Sequence, residues 1–453
     1  MPSFARLPHS VMQTEWKIMS LPTARLWQAK IQQLTHWTVI VAAFILPLST
    51  TLTDLFFSLA ALFSLFGDNL RNRWERLLHH PIAVTLVGFF LLYVIGATYT
   101  IAPLPEVLHR LKKMAYFLLA ALLIPVLSDK KKCRYAIHAF LIASVIVLLL
   151  SYLKYFFMPD LFHTRFNETS IFKDHIIQNF LMAFATFILI GRWLHRDPYR
   201  WIYAVLIPLM IYDVLFISTG RTGYFIFGAL LLYTLTHFFG WKGLSMGLVS
   251  GVVLFGLAYA VSPSFKARTQ EIVTNVAQYQ AGHRYSSVGV RIQSIQNAAS
   301  LFQKHPWLGY GTGSFSTAYA TLKPRDTQAT GIMQVSYNSY LDVGVELGSV
   351  GISLLLLLFF MQWRYSAQLA SDGCFVLRAL LISIMVGCLA NPWLSDTTEL
   401  HLYTLFLAIG FSALSSYVPF SSSESGSASS KEWDRRSHLS SNRAGNPVRN
   451  VIP

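Results

Sequence analysis

Apolar residues in this chain fall into long blocks, not into the two-residue alternation of a half-buried strand or the narrow stripe of a soluble helix. A block of about 20 apolar residues is what carries an α-helix across a bilayer. Twelve blocks approach that length: 35–50, 52–67, 82–98, 114–128, 135–157, 172–191, 201–218, 222–239, 243–262, 339–361, 376–391 and 399–417. Between the ninth and the tenth, from about Pro263 to Tyr337, the pattern changes to a long polar stretch. Within it Val288, Val290, Ile292, Ile295, Ala298, Ala299 and Phe302 give a mostly helical period, which predicts an amphipathic helix over Ser287–Gln303 near a membrane surface. The whole pattern predicts an all-α polytopic membrane protein of about twelve transmembrane helices with one large, helix-containing loop. Its segments are a polar N-terminal stretch at 1–34, spans one to nine at 35–262, the loop at 263–338, spans ten to twelve at 339–417, and a tail at 418–453. Ser, Gly and charge dominate the tail, which predicts disorder.

Composition agrees with that reading. Of 453 residues 54% are hydrophobic and only 13% charged, against about 25% charged in soluble domains. A net charge of +15 raises nucleic acid as a partner, but its placement excludes that. Basic residues precede span one (Arg6, Lys17, Arg25, Lys30), then follow span two (Arg71, Arg73, Arg76), span four (Lys130, Lys131, Lys132, Arg134), span six (Arg192, Arg196, Arg200), span eight (Lys242) and span ten (Arg364). With twelve spans all of these fall on one side, which the positive-inside rule makes the cytoplasm. Both termini are then cytoplasmic and the long loop periplasmic. That loop is itself basic: Lys266, Arg268, Arg284, Arg291, Lys304, Lys323 and Arg325 stand against Glu271 and Asp326. Loops of this length largely escape the orientation rule, so the charge asks for another explanation. The scattered Cys133, Cys374 and Cys388 fit neither a disulfide framework nor a zinc site and read as structural. The polar N-terminal residues lack the features of a cleaved signal.

Residues able to carry chemistry gather on the periplasmic side. Ser218-Thr219-Gly220-Arg221-Thr222-Gly223 forms a polar turn in which two glycines allow close backbone approach and Arg221 opens a helix at membrane depth. An arginine there is costly unless paired; its planar fork of donors suits phosphate oxygens, while the bland alternative is snorkelling to headgroups. Arg291 on the amphipathic helix faces either a site or the headgroups. His305 through Phe315 contains Gly309, Gly311 and Gly313, whose amides can line an anion nest, although the stretch lacks the GK[ST] of a nucleotide loop. Tyr337 and Asn338 lead into span ten, where Asp342 and Glu346, four apart, share a helix face as partners for Arg221 or Arg291 or as proton acceptors. Arg110, Lys112 and Lys113 could hold a lipid phosphate or snorkel. His175 reads as an interfacial histidine or a base. No compact cluster with metal-ligand spacing is evident on that side, so neither metal nor cofactor is expected.

Three stretches carry a resemblance: STGRTGYF (218–225), RIQSIQNAASLFQKHPWLGYGTGSF (291–315) and YNSYLDVGVELGSVG (337–351). In this order, separated by the expected spans, they resemble the O-antigen ligase family. Members are inner-membrane glycosyltransferases with about twelve helices and a large periplasmic loop, similar to the GT-C class. The resemblance implies transfer of a glycan from undecaprenyl pyrophosphate to lipid A–core oligosaccharide, with no metal or nucleotide. It implies that Arg221 and Arg291 hold the pyrophosphate. The family usually reads His-Asn where this chain has Tyr337-Asn338, and that histidine is taken to activate the acceptor hydroxyl. A phenol is a poor base at neutral pH, which leaves Glu346, His305 or His175 to serve, or leaving-group stabilisation alone. Catalytic roles are therefore expected at Arg221, Arg291, Tyr337 and Glu346. Substrate contacts are expected at Asn338, Gly309, Gly311, Gly313, His305, His175, Arg110 and Lys113. O-antigen polymerases and protein O-oligosaccharyltransferases share these motifs, and a polysaccharide or lipid transporter is the alternative from another class.

Overall fold

The computed structural model describes residues 9–67, 70–158, 170–218, 220–281, 286–322 and 336–416. The tail at 418–453 and the loop residues Lys323 and Arg325 lie outside them. Every residue discussed below belongs to the unit Met1–Ser415. Among the described residues the chain is helical and without strands: α1 (His9–Ile45), α2 (Thr50–Ser64), α3 (Leu70–His79), α4 (Pro81–Gly96), α5 (Leu104–Leu123), α6 (Lys130–Phe156), α7 (His175–Leu194), α8 (Arg200–Tyr212), α9 (Arg221–Val261), α10 (Pro263–Gln280), α11 (Ser287–Lys304), α12 (Phe315–Thr321), α13 (Ser339–Ser366), α14 (Ser371–Ala390) and α15 (Thr397–Phe411). Helix starts follow from capping: Asp129, Asp174, Ser262, Ser286 and Asn338 each accept an otherwise orphaned amide with the side chain.

Each predicted span coincides with a helix. Among the described residues six helical segments are long and apolar enough to cross a membrane: α6, α7, Arg200–Ile217, α9, α13 and α14. Of these, α9 has 41 residues, about 60 Å at 1.5 Å per residue and twice a bilayer core. It breaks at Gly240, where φ is +60°. Beyond the break it folds back, because a Cβ at Gly247 would lie 3.3 Å from the Leu232 Cα, fifteen residues earlier. So α9 is the helical hairpin that the blocks 222–239 and 243–262 predict. At 15 residues each, α2 and α15 are shorter than a full span, and α3 meets α4 at 91°. The sequence reading placed the first span at 35–50; α1 instead begins at His9.

The core centres on α7 and α15, which are buried on nearly every face. Aromatic rings interlock there: Phe180 lies 4.3 Å from Trp393, and Phe406 packs between Phe140 and Phe184. A helix buried all round needs no amphipathic pattern, which is why both read as plain apolar blocks. The three cysteines are free thiols.

Candidate active site

The Arg221 turn is shaped from beneath. The last turn of the α8 segment widens into a π-helix at Asp213–Ile217, and the Ser218 amide closes it by donating to the Asp213 carbonyl at 2.7 Å. Asn179 on α7, fully buried, donates to the carbonyls of Val214 (2.9 Å) and Ser218. Gly220 and Gly223 do allow close approach, but to α7 rather than to a ligand. A Cβ at Gly220 would lie 3.0 Å from the His175 carbonyl, and one at Gly223 would overlap the Asn179 side chain. Arg221 emerges from this seam as the first residue of α9 and pairs with Glu271 of α10 at 3.1 Å.

Arg291 arrives from α11, whose N-terminus Ser286 caps at the Gly289 amide. Its guanidinium donates to the Ala390 carbonyl at 3.0 Å and lies over the Tyr337 ring, 5.0 Å from the centroid. Burial disfavours its charge and lowers its pKa; the Tyr337 hydroxyl opposes that shift and the nearby Arg221 adds to it. The two arginines therefore share one electrostatic neighbourhood, with Tyr337 beneath one and Glu271 against the other. Tyr337 holds φ at +55°, a region bulky residues rarely adopt. Asn338 then caps α13 by accepting the Leu341 amide at 3.0 Å, and it donates to the Leu389 carbonyl at 3.1 Å. Its task is to aim Tyr337 and to tie α13 to α14.

Several expected site residues lie elsewhere. Glu346 pairs with neither Arg221 nor Arg291. It is buried at 3% exposure and pairs with Arg110 at 2.8 Å. Nor does Arg110 reach for lipid phosphate: it is buried at 6%, donates to the Tyr93 hydroxyl (3.3 Å) and to Ser395, and lies over the Tyr93 ring. Lys113 turns inward to the Ser395 carbonyl. Both side chains follow the acceptors buried between α5, α13 and the 391–396 loop. Asp342, on the same face as Glu346, accepts the Ser336 amide at 3.2 Å.

The amides of the glycine loop are taken up within the fold. Helix α13 breaks at Gly348 (φ +65°), which orphans carbonyls before the break and amides after it. The loop supplies four of the partners. Tyr310 and Gly311 amides donate to the Val345 and Glu346 carbonyls at 2.9 and 2.8 Å, while Ser349 and Val350 amides donate to Pro306 and Trp307 carbonyls at 2.7 and 3.4 Å. The Thr312 amide goes to the Gly96 carbonyl at 3.1 Å. Gly309, Gly311 and Gly313 all have positive φ, and a Cβ at Gly309 would lie 2.6 Å from the Glu346 carbonyl carbon. The second and third motifs are thus two halves of one splice that satisfies a broken helix inside an apolar surround. His305 sits at its start, exposed, edge-on to Tyr310 at 4.3 Å. His175 opens α7 beneath the Arg221 turn.

Sequence reasoning missed the residues that hold the site together. Asn391 donates to the Thr222 hydroxyl at 2.9 Å, and its carbonyl accepts the Ser339 hydroxyl at 3.1 Å. The short 391–396 loop thereby joins the starts of α9 and α13 to Arg110 and Lys113. Asn179, Asn391 and Glu271 were each visible as polar residues in or beside apolar helices, but nothing in one sequence shows which helix faces which.

No curated protein shows a match to the chain. Residues 204–356 match the family model described as O-Antigen ligase. The Arg221 turn, Arg291, the glycine loop and the break in α13 all lie inside that match, so over that region the chain is similar to the O-antigen ligase family.

Proposed function

We propose that this protein is an inner-membrane glycosyltransferase that moves O-antigen polysaccharide from undecaprenyl pyrophosphate to the lipid A–core oligosaccharide, with its site facing the periplasm. The observation that carries the reading is that Arg221, paired with Glu271, and Arg291, over the Tyr337 ring, both lie in the first turns of their helices inside the family match. Twelve passes, with the α9 hairpin as two of them and α10 to α12 in the periplasmic loop, would place both guanidiniums at the outer surface. A fusion reporter after Lys323 should then be active only as a periplasmic reporter.

The chemistry follows from charge. The acceptor hydroxyl attacks the anomeric carbon, that carbon's bond to the phosphate oxygen breaks, and the electron pair leaves with the lipid pyrophosphate; configuration inverts. Negative charge grows on the leaving oxygen. Two guanidiniums in a partly dry groove offset it without reorganising, the role a divalent cation fills elsewhere, so the reaction runs without metal. Burial and the nearby Arg221 both disfavour the charge on Arg291, and a dianion between the two arginines relieves their repulsion. Tyr337 lies under Arg291, where its ring fixes that guanidinium and its hydroxyl can meet a sugar.

Deleting the gene and viewing the lipopolysaccharide ladder tests the assignment. Loss of long chains with lipid-linked polymer accumulating supports it. Caps of a single unit would make the protein a polymerase instead, and a normal ladder would direct the search to protein acceptors or transport. In purified protein, Arg221→Ala and Arg291→Ala should each lose about ten- to a hundredfold in rate, the worth of a charge-assisted hydrogen bond at about 1.5–3 kcal/mol. Lysine should rescue poorly, since it lacks the fork.

A further inference from the structure

A pair of arginines at a membrane surface has a selectivity problem. Phosphodiester headgroups surround it at high local concentration, and each is an anion that a guanidinium binds. Arg221 already has an occupant, the Glu271 carboxylate at 3.1 Å, and both side chains are partly exposed. Helix α10 delivers that carboxylate on a fixed platform. Ser262 caps it by accepting the Phe265 amide at 3.1 Å, Pro263 starts it, and Phe265 packs between Tyr224 and Phe255 of α9 at 4.8 and 5.3 Å. At its other end the Tyr279 hydroxyl donates to Gln296 of α11 at 2.8 Å, on the helix that carries Arg291. The helix that brings Glu271 is therefore tied to both arginine-bearing helices.

We propose, resting on the donor-site reading above, that Glu271 is an internal competitor: a carboxylate that lowers the affinity of Arg221 for every anion, so that monophosphate groups leave the site largely empty while a diphosphate, held by a second arginine, still binds. An incoming monophosphate exchanges one arginine–anion contact for another and gains little. A diphosphate replaces the carboxylate at Arg221 and also reaches Arg291, so it gains a second contact for the same displacement. The carboxylate subtracts similar affinity from every anion at Arg221, and only the diphosphate has a second arginine with which to recover it.

The test measures binding of undecaprenyl pyrophosphate and undecaprenyl monophosphate to the full-length protein in nanodiscs of neutral lipid, and again with phosphatidylglycerol added. Glu271→Gln should bind the monophosphate about two- to fivefold more tightly, the scale of a partly exposed ion pair, and the pyrophosphate by a similar factor. Phosphatidylglycerol should occupy the variant's site at a lower mole fraction than it does the wild type's. In an Arg221→Ala background the same substitution should change nothing, an outcome that a merely structural glutamate would not produce. If Arg221→Ala weakens binding while Glu271→Gln leaves monophosphate binding unchanged or weakens it, the inference is wrong and the donor-site reading stands. If Arg221→Ala binds the pyrophosphate as wild type does, the donor-site reading itself fails. Glu271→Ala, read by the same binding measurements, serves should the glutamine variant accumulate poorly.

Discussion

Replacing Glu346 with Gln keeps the shape of the side chain and removes one charge from a pair that water hardly reaches. Glu346 is 3% exposed and Arg110 6%, and their 2.8 Å contact joins α5 to the broken helix α13. Removing one partner of a buried pair costs about 3–5 kcal/mol, because the other charge stays behind without compensation. Arg110 keeps the Tyr93 hydroxyl and Ser395, which offset part of that cost, so the lower end applies. A loss of about 3 kcal/mol is roughly a 150-fold shift in the folding equilibrium. Arg110→Gln should lose a similar amount, and the double variant should lose about 2–3 kcal/mol less than the sum of the two, since it strands neither charge. Unfolding in mixed micelles, followed by helix content, measures all four proteins. Transfer per folded molecule should stay near wild type in Glu346→Gln, because the carboxylate is spent on Arg110 and not on substrate. Strict additivity, or a stable Glu346→Gln protein that is catalytically dead, would refute the reasoning and return Glu346 to the reaction.

Three further outcomes follow from the geometry. Tyr337→Phe should keep most of the activity, since the contact to Arg291 is made by the ring face at 5.0 Å; Tyr337→Ala should lose about 2- to 30-fold, the range of a cation–π contact of about 0.5–2 kcal/mol, and Tyr337→His should be tolerated, all read in a donor-lipid transfer assay. Gly348→Ala should lose about 2–5 kcal/mol of stability, since φ there is +65° and the new methyl meets the Trp307 carbonyl; thermal inactivation of purified protein reports it, and a stable variant would contradict the splice. Transfer should proceed undiminished in EDTA, and activity that vanishes there and returns with magnesium or manganese would overturn the two-arginine mechanism.

What the sequence made legible divides along physical lines. Helix positions were readable, because apolar length is a local property and the break at Gly240 falls between two apolar blocks; the break at Gly348 lies inside one block and was not. Arg221 and Arg291 were readable as candidates because an arginine beside apolar helices is expensive wherever it points. The partners of charges were not, since pairing depends on which helices are neighbours. Arg110 and Glu346 are 236 positions apart, and each alone resembles a surface charge at a helix end. Gly309, Gly311 and Gly313 misled for a related reason. A run of glycines says only that backbone comes close to something; here Gly309 meets the backbone of α13 at its own break, 35 residues or so downstream, Gly311 meets Thr100 and Gly96, and Gly313 meets Glu106 on α5. A broken helix inside apolar surroundings must find donors and acceptors for its freed groups, and an anion would compete with that need. The loop is therefore committed to the fold, and the proposed donor anion is left to side chains that arrive from three other helices: Arg221 on α9, Arg291 on α11 and, standing in its place, Glu271 on α10.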